Sequence, residues 1–431
     1  MRAPRWITAA ALAGAAAWLG SQTPEATPAP AEAAFAQALD AKERGDLPAY
    51  RDAIERTAEL LPDPTRLLYR LGSARLLAGD RPGAIAAFRR MVDASFYRDP
   101  REDPEYAPLL ADAAFQRELA RLDALLEPIV RSAELFRLPK GGLLLEGLAY
   151  DPGRKAWYLS SVDARTLFRR DVSGAVVELA GPDELAAPLA LAVDGARQRL
   201  WVVSAGLPHA RDLAPEALDR SALVAFDLAS GRRVARIDSP PGKHLWNDLA
   251  LAGDGALYVS DPGHAAIERV RPDGHVETLV EGSGLRSPGG LAISADGRRL
   301  YVADWSQGLA VVDLATGRLS WLTAPADGTT LGVDGLYRIG DDLVAIQNGV
   351  VPPRVTRFRL AVGGLAIVGA EILERAHPEY DEPTLGVVVD GALAYVANSH
   401  WPAYGADGKP REGVERAPGL VLRLPLEEKS R

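Results

Sequence analysis

The sequence has 431 residues, enough for two or three domains, and its 47% hydrophobic and 25% charged content is that of an ordinary globular protein. A formal net charge of −9 without clustered Lys and Arg argues against a nucleic-acid partner, because phosphate contacts need concentrated positive charge. The absence of cysteine excludes disulfides, thiolate nucleophiles and Cys-ligated zinc.

The N-terminus carries Arg2 and Arg5, then an apolar run from Trp6 to Gly20 and the Pro-rich "SQTPEATPAPAEA". That run falls short of the ~20 residues of a membrane span, so residues 1–30 read as a signal peptide and a Pro/Ala-rich linker. The expectation is a periplasmic or secreted protein with no membrane span in the mature chain; an uncleaved N-terminal anchor is the alternative. From 31 to 137 apolar residues recur three and four apart, the helical period. Gly45 and Gly79 head similar segments 34 residues apart, the period of the tetratricopeptide repeat, and Leu71, Gly72, Ala84 and Phe88 suit its small and large positions. A tetratricopeptide-like domain there either docks a protein partner or caps the next domain.

Residues 138–426 change to short apolar strands separated by Gly, Asp and Pro, followed by a polar tail, 427–431. Six strand-turn-strand segments superimpose, beginning at Glu146, Leu189, Asn247, Gly289, Asp334 and Leu385, with successive starts 42 to 58 residues apart. Each interval has room for two more strands. Four strands per repeat at this period predict a mainly β chain, a six-bladed β-propeller behind an N-terminal α-helical domain.

The innermost strand of a propeller blade lines the central channel, so the six starting positions form a ring that brings Glu146, Asn247 and Asp334 together. Two carboxylates at close range repel unless a proton or cation lies between them. Two acids and an amide match a hard divalent cation, Ca²⁺ ahead of Mg²⁺, Mn²⁺ or Zn²⁺. The alternative is three unrelated strand caps. The second strands end in Ser161, Ser204, Asp261, Asp304, Asn348 and Asn398, a polar rim from which Asp304, Asn348 and Asn398 are expected to contact substrate, together with His244. The six histidines show no HxH or HExxH spacing, which argues against a zinc protease, and no GxSxG elbow supports a serine hydrolase. His209, alone on a loop, is a weak candidate for catalysis, and His400 and Trp401 are candidate pocket walls.

"EGLAYD", "WNDLALAGDGALYVSD", "SPGGLAISADGRRLYVAD" and "VDGLYRIGDDLVAIQNG" resemble, in their order along the blades, the gluconolactonase and senescence-marker-protein family of six-bladed propellers and, more distantly, the paraoxonases. The likeness covers about residues 140 to 426. It implies a lactonase or related ester hydrolase whose axial metal polarises the substrate carbonyl and activates water. Glu146 then matches the first-blade ligand and Asn247 the third-blade contact to metal or substrate. Asp334 matches the fifth-blade ligand that doubles as general base, so Glu146 and Asp334 are the expected catalytic pair. The family's fourth-blade "NG" is Gly289-Gly290 in this chain, and Leu245 stands where relatives acting on sugar lactones carry arginine. The first departure leaves a weaker metal site, one filled by extra water, or a non-catalytic propeller that binds a ligand or protein; a metal-independent reaction like that of strictosidine synthase-like propellers is a further alternative.

Overall fold

The computed structural model describes residues 30–426. The expected signal peptide and the polar tail lie outside the described residues.

Five α-helices come first: α1 Pro30–Glu43, α2 Leu47–Leu60, α3 Thr65–Leu77, α4 Arg81–Asp93 and α5 Ala113–Ala124. The 34-residue spacing is a spacing of helix boundaries. Gly45 and Gly79 adopt φ of +74° and +85°, the left-handed turn that ends a helix and that glycine adopts without a side-chain penalty. The next residues, Asp46 and Asp80, cap α2 and α4 by accepting hydrogen bonds from the amides of Ala49 and Gly83. Pro48 and Pro82 then occupy the first helical turn, where no amide is missed. Ala84 and Phe88 are fully buried, and a Cβ on Gly72 would lie 2.3 Å from the Tyr106 hydroxyl, so glycine is what lets that ring pack.

The remainder is six four-stranded antiparallel sheets. Their innermost strands are Leu145–Asp151, Ala187–Asp194, Leu249–Leu251, Pro288–Ile293, Val333–Ile339 and Gly386–Val389. Each packs against the innermost strand of the next blade, and the sixth against the first, which closes the propeller. Each of six separate apolar clusters in this part of the chain draws on more than one blade. The sixth blade is completed by Ala133–Arg137, which pairs antiparallel with Leu420–Pro425. The expected boundary at 137/138 therefore falls too late. "AELFR" reads locally as a continuation of the helices, and its strand conformation depends on a partner almost 300 residues away.

The helices sit against blades four and five. Asp63, 4% exposed, accepts hydrogen bonds at Oδ2 from the Thr330 amide (2.6 Å), the Thr329 hydroxyl (2.7 Å) and the Thr330 hydroxyl (3.0 Å). The buried guanidinium of Arg354 donates to the Ser95 carbonyl at 2.6 Å, and the half-buried Arg375 donates to the carbonyls of Ala124 and Glu127. Among the described residues no helix is long and apolar enough to cross a membrane.

Candidate active site in the propeller channel

The ring positions are set by β-bulges. In blade one, Leu145 pairs with Ser161 and Leu148 with Leu159, so Glu146 and Gly147 together face Ser160. The same shift occurs at Leu189-Ala190, Gly289-Gly290 and Asp334-Gly335. A bulge turns one side chain out of the ordinary alternation, here at the head of the strand lining the channel. The residue after it is squeezed by the neighbouring blade: a Cβ on Gly147 would lie 2.2 Å from the Leu189 carbonyl oxygen, and one on Gly290 2.4 Å from that of Asp334. At Gly335 the crowding comes from its own strand, where a Cβ would lie 2.5 Å from the Tyr337 hydroxyl. Blade three has Asn247-Asp248 instead, and Asp248 Oδ2 accepts a hydrogen bond from the Leu291 amide at 2.8 Å, tying its blade to the next.

Asn247, Gly289, Trp305 and Asp334 line a cavity of about 220 Å³ at this end of the channel. Asp334 Oδ2 accepts from Asn348 Nδ2 at 2.7 Å, and Asn348 Oδ1 accepts from Trp305 Nε1 at 3.4 Å. Glu146, 5% exposed, accepts at Oε2 from Trp401 Nε1 at 2.6 Å. His209 packs edge-on against that Trp401, ring centroids 4.9 Å apart, with its buried Nδ1 unpartnered; burial lowers its pKa.

Burial raises the proton affinity of four carboxylates here, and the charge of Asp334 adds to it at the other three. Burial, then Asp334, Glu382 and Asp248, drive the Glu146 carboxyl well above the usual range. Burial pushes Asp334 up to about 6, against the pull of the Asn348 hydrogen bond. It takes Asp248 up to about 7 and, with the charge of Asp334, Glu382 up to about 8. Glu382 is absent from the ring alignment because blade six contributes Leu385 at that position. It enters from the loop before the sixth innermost strand, in a left-handed conformation with φ of +61°, a backbone state that non-glycine residues adopt at a cost and that collects at functional sites. Its sequence signal was the acidic "DEP" just upstream of the repeat.

Three expected substrate contacts have other work. Asp304, 0% exposed, accepts from the Arg286 and Ser287 amides at one oxygen and from Ser306 and Gln307 at the other. Asn398 is spent on the Leu420 amide (2.6 Å) and the Pro418 carbonyl (3.1 Å). Both clamp turns at the ends of second strands, a role open to any small polar residue that reaches backbone amides. His244, 6% exposed, lies within blade three, with its Nδ1 2.6 Å from Asp261 Oδ2. His400 is likewise tied down, between Asp381 (2.6 Å) and the Ala417 carbonyl (3.0 Å). Asn348 stays in the cavity network.

The channel carboxylates fit a resident cation: burial raises the proton affinity of each, neighbouring charge adds to it at Glu146 and Glu382, and a positive charge between them would relieve both. All four donors named here, Glu146, Asn247, Asp334 and Glu382, offer oxygen, the donor set of a hard divalent ion.

The fold and this site define the chain as a six-bladed β-propeller with a small cavity, lined by Asn247 and Asp334, at one end of its channel. Over 121 residues it is 31% identical to a gluconolactonase of Zymomonas mobilis, a match that takes in 25% of this chain and 30% of that protein. The chain thus spans under a third of the curated relative it matches. No family model matches. Similar solved structures include a gluconolactonase of Xanthomonas campestris, 19% identical with a TM-score of 0.47 over 69% of this chain and 96% of that one. Virginiamycin B lyase of Staphylococcus aureus is 13% identical, with a TM-score of 0.46 over 68% and 88%.

Proposed function

We propose that this protein is an exported, metal-dependent hydrolase of a small lactone or ester, acting in the propeller channel. The observation that carries the reading is that Asp334 lines the channel-end cavity with Asn247 while its charge raises the proton affinities of Glu146, Asp248 and Glu382. Its partial likeness to a gluconolactonase supports the reaction class.

Glu146, Asn247, Asp334 and Glu382 would hold a divalent cation, Ca²⁺ by donor chemistry, which when bound polarises a carbonyl and acidifies water. Asn348 holds Asp334 Oδ2 and leaves Oδ1 to take a proton from the attacking water. Trp401 fixes Glu146 by its indole N–H, and Trp305 walls the cavity. The small cavity suits a small substrate, and Leu245 in place of an arginine disfavours a sugar acid. The N-terminal apolar segment supports export, which N-terminal sequencing of the mature protein would test.

The discriminating assay is a lactone and ester panel with Ca²⁺, wild type against Asp334→Asn. A Ca²⁺-dependent activity that falls at least ~100-fold in the variant is expected, the size of a general-base contribution. An activity indifferent to chelator and to the substitution would refute it. Gly289 supports a second reading, a propeller that binds a ligand without turning it over, with the helices docking a protein partner. Ca²⁺ binding at the channel without turnover of any panel member would favour it.

A further inference from the structure

We infer that blade three carries a second cation site, formed by His244, Asp261 and His264 with Glu268 beside them, which takes a borderline divalent ion such as Zn²⁺. The site stands whether or not the channel is catalytic; its effect on Asn247, argued below, rests on the hydrolase reading.

Three chain segments bring these side chains together. His244 Nδ1 is 2.6 Å from Asp261 Oδ2 and 3.5 Å from Glu268 Oε1, and His264 Nδ1 is 3.5 Å from the same Asp261 oxygen. The two imidazoles stack with centroids 4.1 Å apart and planes 19° from parallel, so both Nδ1 atoms face one carboxylate. Ligating atoms of His244, Asp261 and His264 all lie within 4.8 Å of one another. Bonds of 2.0–2.2 Å in a tetrahedral zinc site put its ligand atoms about 3.4 Å apart. The His264–Asp261 separation already matches, that between His244 and Asp261 needs to open by less than ~1 Å, and Glu268 borders this group of three through its 3.5 Å approach to His244. Two imidazoles with two carboxylates select zinc over the all-oxygen calcium of the channel.

The buried charge points the same way. Asp261 is 0% and Glu268 2% exposed, and among the described residues neither has a Lys or Arg partner. Two carboxylates taken out of water together call for a compensating cation. Their remaining oxygens are occupied in a manner that aims the free ones inward. Asp261 Oδ1 accepts from the amides of Leu245 (3.0 Å) and Gly263 (2.9 Å), and Glu268 Oε2 from Trp246 Nε1 (2.7 Å). Such outer hydrogen bonds are what orient metal ligands. The His264 side chain, 39% exposed, gives an ion its way in.

These contacts also hold Leu245 and Trp246, the two residues before Asn247. An ion here would stiffen the segment that carries Asn247 into the channel.

The test uses chelator-treated full chain titrated calorimetrically with Zn²⁺: wild type, His264→Gln, His244→Gln and the channel variant Glu146→Gln/Asp334→Asn. Expected are one equivalent of Zn²⁺ in wild type and in the channel variant, and an affinity at least ~10-fold lower in His264→Gln. Zn²⁺ should raise the thermal midpoint of the channel variant and not that of His264→Gln. His264 is partly exposed, so its replacement leaves the fold intact, which circular dichroism verifies. Absence of Zn²⁺ binding in wild type overturns the inference. Undiminished binding in both histidine variants overturns it as well, as does binding lost only in the channel variant. Ca²⁺ titration of His264→Gln separates the two readings, because the channel ligands are untouched there.

Discussion

Glu146, Asp248, Asp334 and Glu382 share one electrostatic problem, and it makes the stability of the protein depend on pH and cations together. Their folded-state pKa values lie above the unfolded values of about 4, so the folded chain binds more protons than the unfolded one. Their contribution to stability is therefore complete below about pH 4 and is lost as the pH rises through about 6 for Asp334, 7 for Asp248 and 8 for Glu382. Melting curves without divalent ions should show these groups lowering the midpoint between pH 5 and 8, by the criterion that Asp334→Asn flattens the slope. Added Ca²⁺ should raise the midpoint more at pH 8 than at pH 5, since it binds the ionised form. An equal rise at both pH values would contradict a carboxylate cation site. Gly289 is a second lever at this scale. A Cβ there would meet Asn247 Nδ2 at 3.6 Å and the Asp334 carbonyl at 3.8 Å, ordinary contacts, so space does not demand glycine. Gly289→Asn should add an oxygen donor and tighten Ca²⁺ binding about tenfold, or about 1.4 kcal/mol. Unchanged calorimetric affinity would place residue 289 outside the ion's reach.

At the scale of the strand, the bulge delivers the side chain and the glycine after it allows the blades to close up. Gly147 shows the constraint best, because its amide is held by the Ser160 hydroxyl at 2.7 Å while that hydroxyl donates to the Leu189 carbonyl at 2.8 Å. Gly147→Ala would press a methyl group against that same carbonyl and should cost ~1–3 kcal/mol, the usual range for overpacking. It should also weaken Ca²⁺ binding through displaced Glu146. Denaturant unfolding measures the first effect, and a loss under 0.5 kcal/mol would mean that the bulge relaxes freely. Repetition makes this device legible: "EG", "GG" and "DG" recur at the same place in the repeat. Blades two and three depart from it with Ala190 and Asp248, and in blade three the exchange of a glycine for a carboxylate bound to the Leu291 amide is something only the neighbouring strand reveals.

At the scale of the whole molecule, the helices and the propeller are joined by buried polar groups. Asp63 is the sharpest example, a carboxylate with 4% exposure that accepts from Thr329, Thr330 and its own neighbour Thr65. Asp63→Ala leaves those donors buried and unpaired and should destabilise the protein by about 3 kcal/mol, the upper end for hydrogen bonds to a charged group. Coincident unfolding of helices and propeller in wild type, becoming two separate transitions in the variant, would show that this residue couples them. A single unshifted transition would assign the coupling elsewhere. Trp305 lies at the same junction, with the Arg66 guanidinium 5.6 Å from its ring and its indole N–H on Asn348, so the helices abut the wall of the cavity.

The sequence by itself determined what repetition can determine. Six hairpins at regular spacing specified the blades, the shared first position specified Glu146, Asn247 and Asp334, and Gly-Asp-x-Pro at a 34-residue spacing marked the helix boundaries. Periodicity reports which face a residue takes within its own element, and these features are properties of single elements. The tertiary structure decided what depends on a distant partner. It recruited Glu382 from a loop, drew Ala133–Arg137 into the last blade, turned Asp304 and Asn398 into backbone clamps, and removed His244 from the channel to the Asp261 cluster. In each case the residue's role is fixed by a chain segment that ring closure or strand pairing brings to it, and a reading of local pattern carries no record of that meeting.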